Sequence, residues 1–182
     1  MDWIFEFLGL ALIYATAGTA AISLLIFPFR GISINLIFLL FAILIFLILT
    51  QHPLPDRTTM ICPIKSAEPQ LIPFGFVQIF VRLSRYDAPI LDWLLNVTIA
   101  AAIMNVVLCA AIGAALAFHV AKWWSVFAFG IGLTLLVELT QLTGAWGLYP
   151  CAWRKFDVDD LITNILGVAM GWGWMRHKQA RA

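Results

Sequence analysis

Charge is what this sequence has least of. Only 12% of its 182 residues are Asp, Glu, Lys or Arg, where soluble domains carry about 25%. A soluble globule of this size exposes too much of its surface to hide a chain that is 63% apolar. Lipid is therefore the expected solvent for most of the length. A net charge of +1 and the lack of a long basic run exclude a nucleic-acid surface. Three cysteines, Cys62, Cys109 and Cys151, make neither a disulfide framework nor a C-x-x-C pair. The three histidines, His52, His119 and His177, fall at the edges of different apolar segments. No zinc set or other metal site is expected from them. A P-loop, a dinucleotide fingerprint and a Ser-His-Asp set are also missing. The first apolar stretch has no basic residues before it and is too long for a signal peptide, so it reads as a retained helix.

What remains is long apolar runs. A hydrocarbon core of about 30 Å needs roughly 20 helical residues. Runs of that order lie at about 3–29, 32–49, 96–118, 123–142 and 158–175, with Arg30-Gly31 as a tight turn between the first two. After Ser33 and Asn35 the second run has no polar groups, which suggests a lipid-facing helix. Between the second and third, "QHPLPDRTTMICPIKSAEPQLIP" carries five prolines and cannot be one helix. "FGFVQIFVRLSRYD" is amphipathic but too short to cross, and so reads as an interfacial or re-entrant segment. The expected fold is an all-α, polytopic integral membrane bundle of about five transmembrane helices plus that short segment. Its parts are two N-terminal helices (1–50), the proline-rich loop (51–96) and a three-helix core with a basic tail (97–182). Basic residues divide almost evenly between the two sides. Orientation therefore rests on the N-terminal end having none and on Arg30 following the first run directly, which puts the N-terminus outside and the tail in the cytoplasm. Cys62 and Cys151 then share the outer face, where a disulfide is permitted but not required.

The polar residues are not scattered. Glu138 and Gln141 sit three apart near the end of the fourth run, on one helix face. Asp160, Asn164, Gly167 and Gly171 form a single stripe on the fifth, and the G-x-x-x-G pair suits close approach of another helix. Arg154, Asp157 and Asp159 lie in the connector, with Lys155 completing a basic pair. If the connector folds back, these groups meet in a polar chamber at the outer interface. Asp157 with Asp160 also resembles a helix N-cap, and Arg154 paired with Glu138 would be plain structural glue. Glu138 and Asn164 point more strongly to function, because polar groups within a span usually face a cavity or a partner.

Glu138-x-x-Gln141, then Arg154-x-x-Asp157-x-x-Asp160-x-x-x-Asn164-x-x-Gly167, resembles the signature of the VanZ-like family. The family is named for a member linked to resistance to the glycopeptide antibiotic teicoplanin. "QLIPF" from Gln70 and "NVVLCAAIG" from Asn105 to Gly113 are similar to two further family stretches. The resemblance covers about 68–175. Gln70 stands where the family has Asn, Ala110 and Ala111 stand around its proline, and the connector holds an extra "TGAWGLYPCAW". Trp146 and Tyr149 in that insertion suit either a headgroup anchor or a cover for the chamber.

Three functions are expected to compete. In the first, the chain binds a polar or phosphate headgroup of a membrane lipid, a lipid-linked envelope precursor or a lipoglycopeptide. Arg154 grips the anion and Glu138, Gln141 and Asn164 hydrogen-bond the rest; no cofactor is expected. The resemblance adds a contribution to glycopeptide resistance. In the second, the acids hold Mg2+ and process a phosphate-bearing lipid, although no nucleophile is evident. In the third, the cluster only locks helices together.

Overall fold

The computed structural model describes residues 2–51, 54–62 and 68–182, with the side chains of 2–6, 29–30 and 94–95 set aside. His52 and the side chain of Arg30 lie outside the described residues, as do Pro53 and Pro63 of the loop. α1 (Asp2–Arg30) and α2 (Ile34–Gln51) form the first hairpin. Gly31 turns the chain with a φ of +64°, a left-handed conformation that suits glycine at a helix end. The Ser33 hydroxyl then accepts the Leu36 N–H at 3.2 Å and starts α2.

Across the loop come two short helices, α3 (Val77–Arg85) and α4 (Ile90–Leu95). Neither is long enough to cross a bilayer, and α3 has no buried residue. Then follow α5 (Val97–Leu116), α6 (Trp123–Leu142), a four-residue turn α7 (Gly144–Gly147) and α8 (Val158–Gln179). Asn96 is the N-cap of α5 rather than part of it. Its side chain accepts the Thr98 N–H at 3.1 Å and the Ile99 N–H at 3.3 Å. α7 is a left-handed turn, with Ala145 at φ 50° and Trp146 at φ 61°.

Phe46 of α2, Ile112 of α5, Val126 and Val137 of α6 and Val168 of α8 meet in the main core. α1 packs on α2, where Ala11 and Ala15 meet Ile45 and Leu49, and Leu108 of α5 lies against both this cluster and the main core. This corrects the expectation of a lipid-facing α2. Apolar composition fits burial against other helices as well as it fits lipid. α2 contacts α1, α5 and α6, and Leu39, Ala42, Phe46 and Thr50 are buried on it.

The closest helix pair is α5 with α8. A methyl group at Gly113 would overlap the Val168 carbonyl, and one at Gly171 would overlap the Ala110 carbonyl. At Gly167 it would come within 2.5 Å of the Val106 carbonyl. The two backbones therefore touch, as small residues permit in helix pairs without a hydrophobic driving force. The contacts advance together along both helices, so α5 and α8 run parallel and side by side.

Among the described residues, four helices are long and apolar enough to cross a membrane: Phe7–Pro28 within α1, then α2, α5 and α6. The chain is thus a helical membrane protein. α8 is 22 residues long but carries Asp159 and Asp160 in its first turn and Arg176, His177 and Lys178 in its last. Those charges suit the two ends of the helix dipole and keep α8 out of that group of four.

Candidate functional site

Polar side chains gather where α2 and α6 end and where α5 and α8 begin. Glu138 is 1% exposed and Gln141 3% exposed, so each needs a partner inside the protein. The Glu138 carboxylate accepts the Asp157 N–H at 2.9 Å. The Gln141 amide donates to the Thr50 carbonyl at 2.8 Å, and the Arg154 guanidinium donates to the same oxygen at 3.2 Å. That carbonyl belongs to the last turn of α2, the negative end of its dipole, where a cation is favoured. Asn105 of α5 donates to Asp160 at 2.9 Å, and the Cys109 thiol faces Asn164 Oδ1 at 3.4 Å. The expected pairing of Arg154 with Glu138 is not made. Glu138 holds the connector's backbone, and Arg154 holds the end of α2.

A strap formed by residues 70–76 closes the site from the loop side. The Gln70 N–H donates to the Phe156 carbonyl at 2.7 Å, and its carbonyl accepts the Val158 N–H at 3.0 Å. These bonds make a short parallel bridge to Asp157. The Gln70 side chain is consumed locally, giving and taking hydrogen bonds of 2.6 Å with the backbone of Ile72. Asp159 pins the strap to α8, accepting the Phe74 N–H at 2.5 Å and the Phe76 N–H at 3.2 Å. Asp157 caps α8 by accepting the Asp159 N–H at 2.9 Å. Burial pushes the Asp157 carboxyl above its ordinary pKa, against the opposing pull of that N–H.

Two spaces open among these groups. The larger, about 600 Å³, lies between the strap, α3, the start of α5 and the start of α8. Gln141, Arg154, Lys155, Asp157, Asp159 and Asp160 are on its polar wall, with Gln70 and Gln78, and Ile72, Phe76, Ile79, Val97 and Ala101 on its apolar one. The smaller, about 60 Å³, is an inner chamber reached by Asn105, Glu138, Gln141, Arg154, Asp160 and Asn164. Arg154, Gln141 and Asp160 border both.

The site residues read from the sequence thus divide into layers. Arg154, Asp157, Asp160 and Gln141 face the larger cavity. Glu138, Asn105 and Asn164 stand behind them around the smaller inner chamber. Gly167 and Gly171 bring α8 against α5, and Gln70 and Asp159 fasten the strap. Trp146 is exposed and Tyr149 stacks on Trp153 with ring centroids 4.9 Å apart; neither borders the cavity. Sequence reasoning missed the α2 terminus. The pair Thr50-Gln51, polar residues ending an apolar run, was the available signal. Cys62 and Cys151 form a disulfide with Cα atoms 5.9 Å apart, joining the proline-rich loop to the connector that carries Arg154. For the magnesium reading, no three His, Cys, Asp or Glu side chains among the described residues converge on a metal-holding set. Asp159 has both oxygens engaged by backbone.

Comparison with protein families gives one decisive result: the VanZ/LLP1 profile matches residues 33–178. The chain belongs to the VanZ/LLP1 family. The match is longer than the stretch its motifs cover, and it takes in α2, in keeping with the place of α2 in the core and the site. No curated protein and no solved structure matches the chain significantly.

Proposed function

We propose that this VanZ/LLP1 protein binds the anionic headgroup of a membrane amphiphile in the larger cavity, with Arg154 as the principal contact. One observation carries the reading. Arg154 borders a cavity of ligand size, yet its one hydrogen bond among the described residues goes to the Thr50 carbonyl. A guanidinium has five donors, so most of its capacity is left for a ligand at the cavity it borders. The Lys155 ammonium adds a second cation there. Gln141 borders the same space, while Glu138, Asn105 and Asn164 fix the frame. The opposite wall, apolar and formed by the strap, α3 and α5, suits an acyl or prenyl chain.

Two features support an extracytoplasmic position. A disulfide between Cys62 and Cys151 belongs to an oxidising compartment. The parallel contact of α8 with α5 supports reading α8 as a fifth crossing beside the four membrane-length helices. With five crossings the termini lie on opposite sides, and the reading puts the N-terminus and the site outside and the basic tail in the cytoplasm. A cell-envelope precursor presents its headgroup at that interface, and holding one is the route by which such a protein contributes to glycopeptide resistance.

Dodecyl phosphate tests the reading. A ligand that binds only the folded protein stabilises it by about 2.7 kcal/mol at 100 times its Kd. Dodecyl phosphate added to the purified protein in dodecyl maltoside should raise its melting temperature, and should not raise that of Arg154→Ala. An equal rise in both proteins, or none in the wild type, contradicts the proposal.

A further inference from the structure

The larger cavity holds unspent charge of both signs. Arg154 makes no hydrogen bond to its acids among the described residues, although Arg154 acts on Asp160 and Lys155 on Asp157 through space. Asp157 uses one oxygen to cap α8, and Asp160 uses one to accept from Asn105. Their second oxygens have no hydrogen-bond partner among the described residues, and both residues border the cavity. Opposite charges kept apart within one space, beside an apolar wall, match a ligand that itself carries both signs and an apolar tail. A purely anionic headgroup uses the two cations and leaves both carboxylates without a partner; a neutral one leaves the cations unused. The carboxylate oxygens are hydrogen-bond acceptors, so they reward a cation that has N–H groups to give. A quaternary ammonium has none and is held instead by a cage of aromatic faces. Among the described residues, Phe76 is the one aromatic side chain on this cavity.

We infer that the ligand is a phospholipid with a zwitterionic, primary-ammonium headgroup of the phosphoethanolamine type. Its phosphate meets Arg154 and Lys155, its ammonium meets Asp157 and Asp160, and its acyl chain lies on Ile72, Ile79 and Val97. This rests on the headgroup-binding reading and goes further by naming the headgroup.

The test is lipid retention. The purified full-length chain is exchanged into detergent with an equimolar mixture of phosphatidylethanolamine, phosphatidylcholine and phosphatidylglycerol of matched acyl chains. Retained lipid is then quantified by mass spectrometry. The expected result is phosphatidylethanolamine enriched about tenfold over each of the others, the factor one charge-assisted hydrogen bond supplies. Asp160→Asn should move the preference away from phosphatidylethanolamine and toward phosphatidylglycerol. Asp157→Asn, which keeps a capping side chain, should do the same if the first variant does not fold. Retained lipid with no preference for the ethanolamine headgroup, or a preference both Asn variants leave intact, overturns this inference and leaves the headgroup reading standing. Retention of no lipid in the wild type, or full retention by Arg154→Ala, overturns both.

Discussion

At the scale of single residues, the division of labour among the carboxylates decides what the site can do. Asp159 has the position of a ligand contact in the sequence and the work of a clamp in the structure, since it holds the Phe74 and Phe76 N–H groups. Asn in its place offers one oxygen instead of two and no charge. Each lost charge-assisted bond is worth about 1.5–3 kcal/mol, so the strap should open locally. Hydrogen exchange at Phe74 and Phe76 should then quicken by tenfold or more in Asp159→Asn, the factor that about 1.4 kcal/mol supplies. Unchanged exchange would mean that something else holds the strap. Nothing in the residue order around 159 announces this role, because its partners are backbone amides some 85 positions away. The same reason hid the Thr50 carbonyl, on which Gln141 and Arg154 converge. A backbone acceptor has no side-chain signature of its own, and only the polar pair Thr50-Gln51 ending the apolar run pointed to that helix terminus.

Helices were far more legible. The stripe Asp160, Asn164, Gly167, Gly171 follows from helical periodicity alone, and the structure lays it along one side of α8 against α5. The limits of α6, Trp123–Leu142, are those the apolar run suggests. What the pattern hid was which apolar helix faces protein and which faces lipid. α2 shows why, for in a bilayer both environments select the same side chains. Gly113 and Gly171 carry the prediction at this scale. Their missing side chains let two backbones touch, so Gly171→Val should destabilise the protein by about 1–3 kcal/mol or more through overpacking. The drop should appear as a lower melting temperature in detergent. Gly132 of α6 has nothing within 4 Å of where a methyl would sit. Gly132→Ala should be neutral or stabilising by up to about 1 kcal/mol. If the two substitutions shift the melting temperature equally, the contact of α5 with α8 is not as tight as described.

For the molecule as a whole, the proline-rich loop and the connector act as one cover fastened at several points. The Cys62–Cys151 disulfide spans 89 residues, the bridge at Gln70 joins the strap to Asp157, and Asp159 clamps its far end. A cross-link of that span stabilises by about 2–4 kcal/mol. Reduction with dithiothreitol should lower the melting temperature of the wild type and leave a Cys62→Ser, Cys151→Ser protein unmoved. Equal sensitivity in both would show the pair unlinked. Beneath the cover, the ends of α2 and α6 and the starts of α5 and α8 bring Arg154 to the boundary between an inner chamber and an open cavity. Native mass spectrometry of the protein released from lipid nanodiscs measures what that boundary holds. The wild type should carry one tightly retained lipid, and Arg154→Ala, eluting as the same folded species, should carry none. Equal lipid adducts on both proteins would contradict a headgroup site built on this arginine.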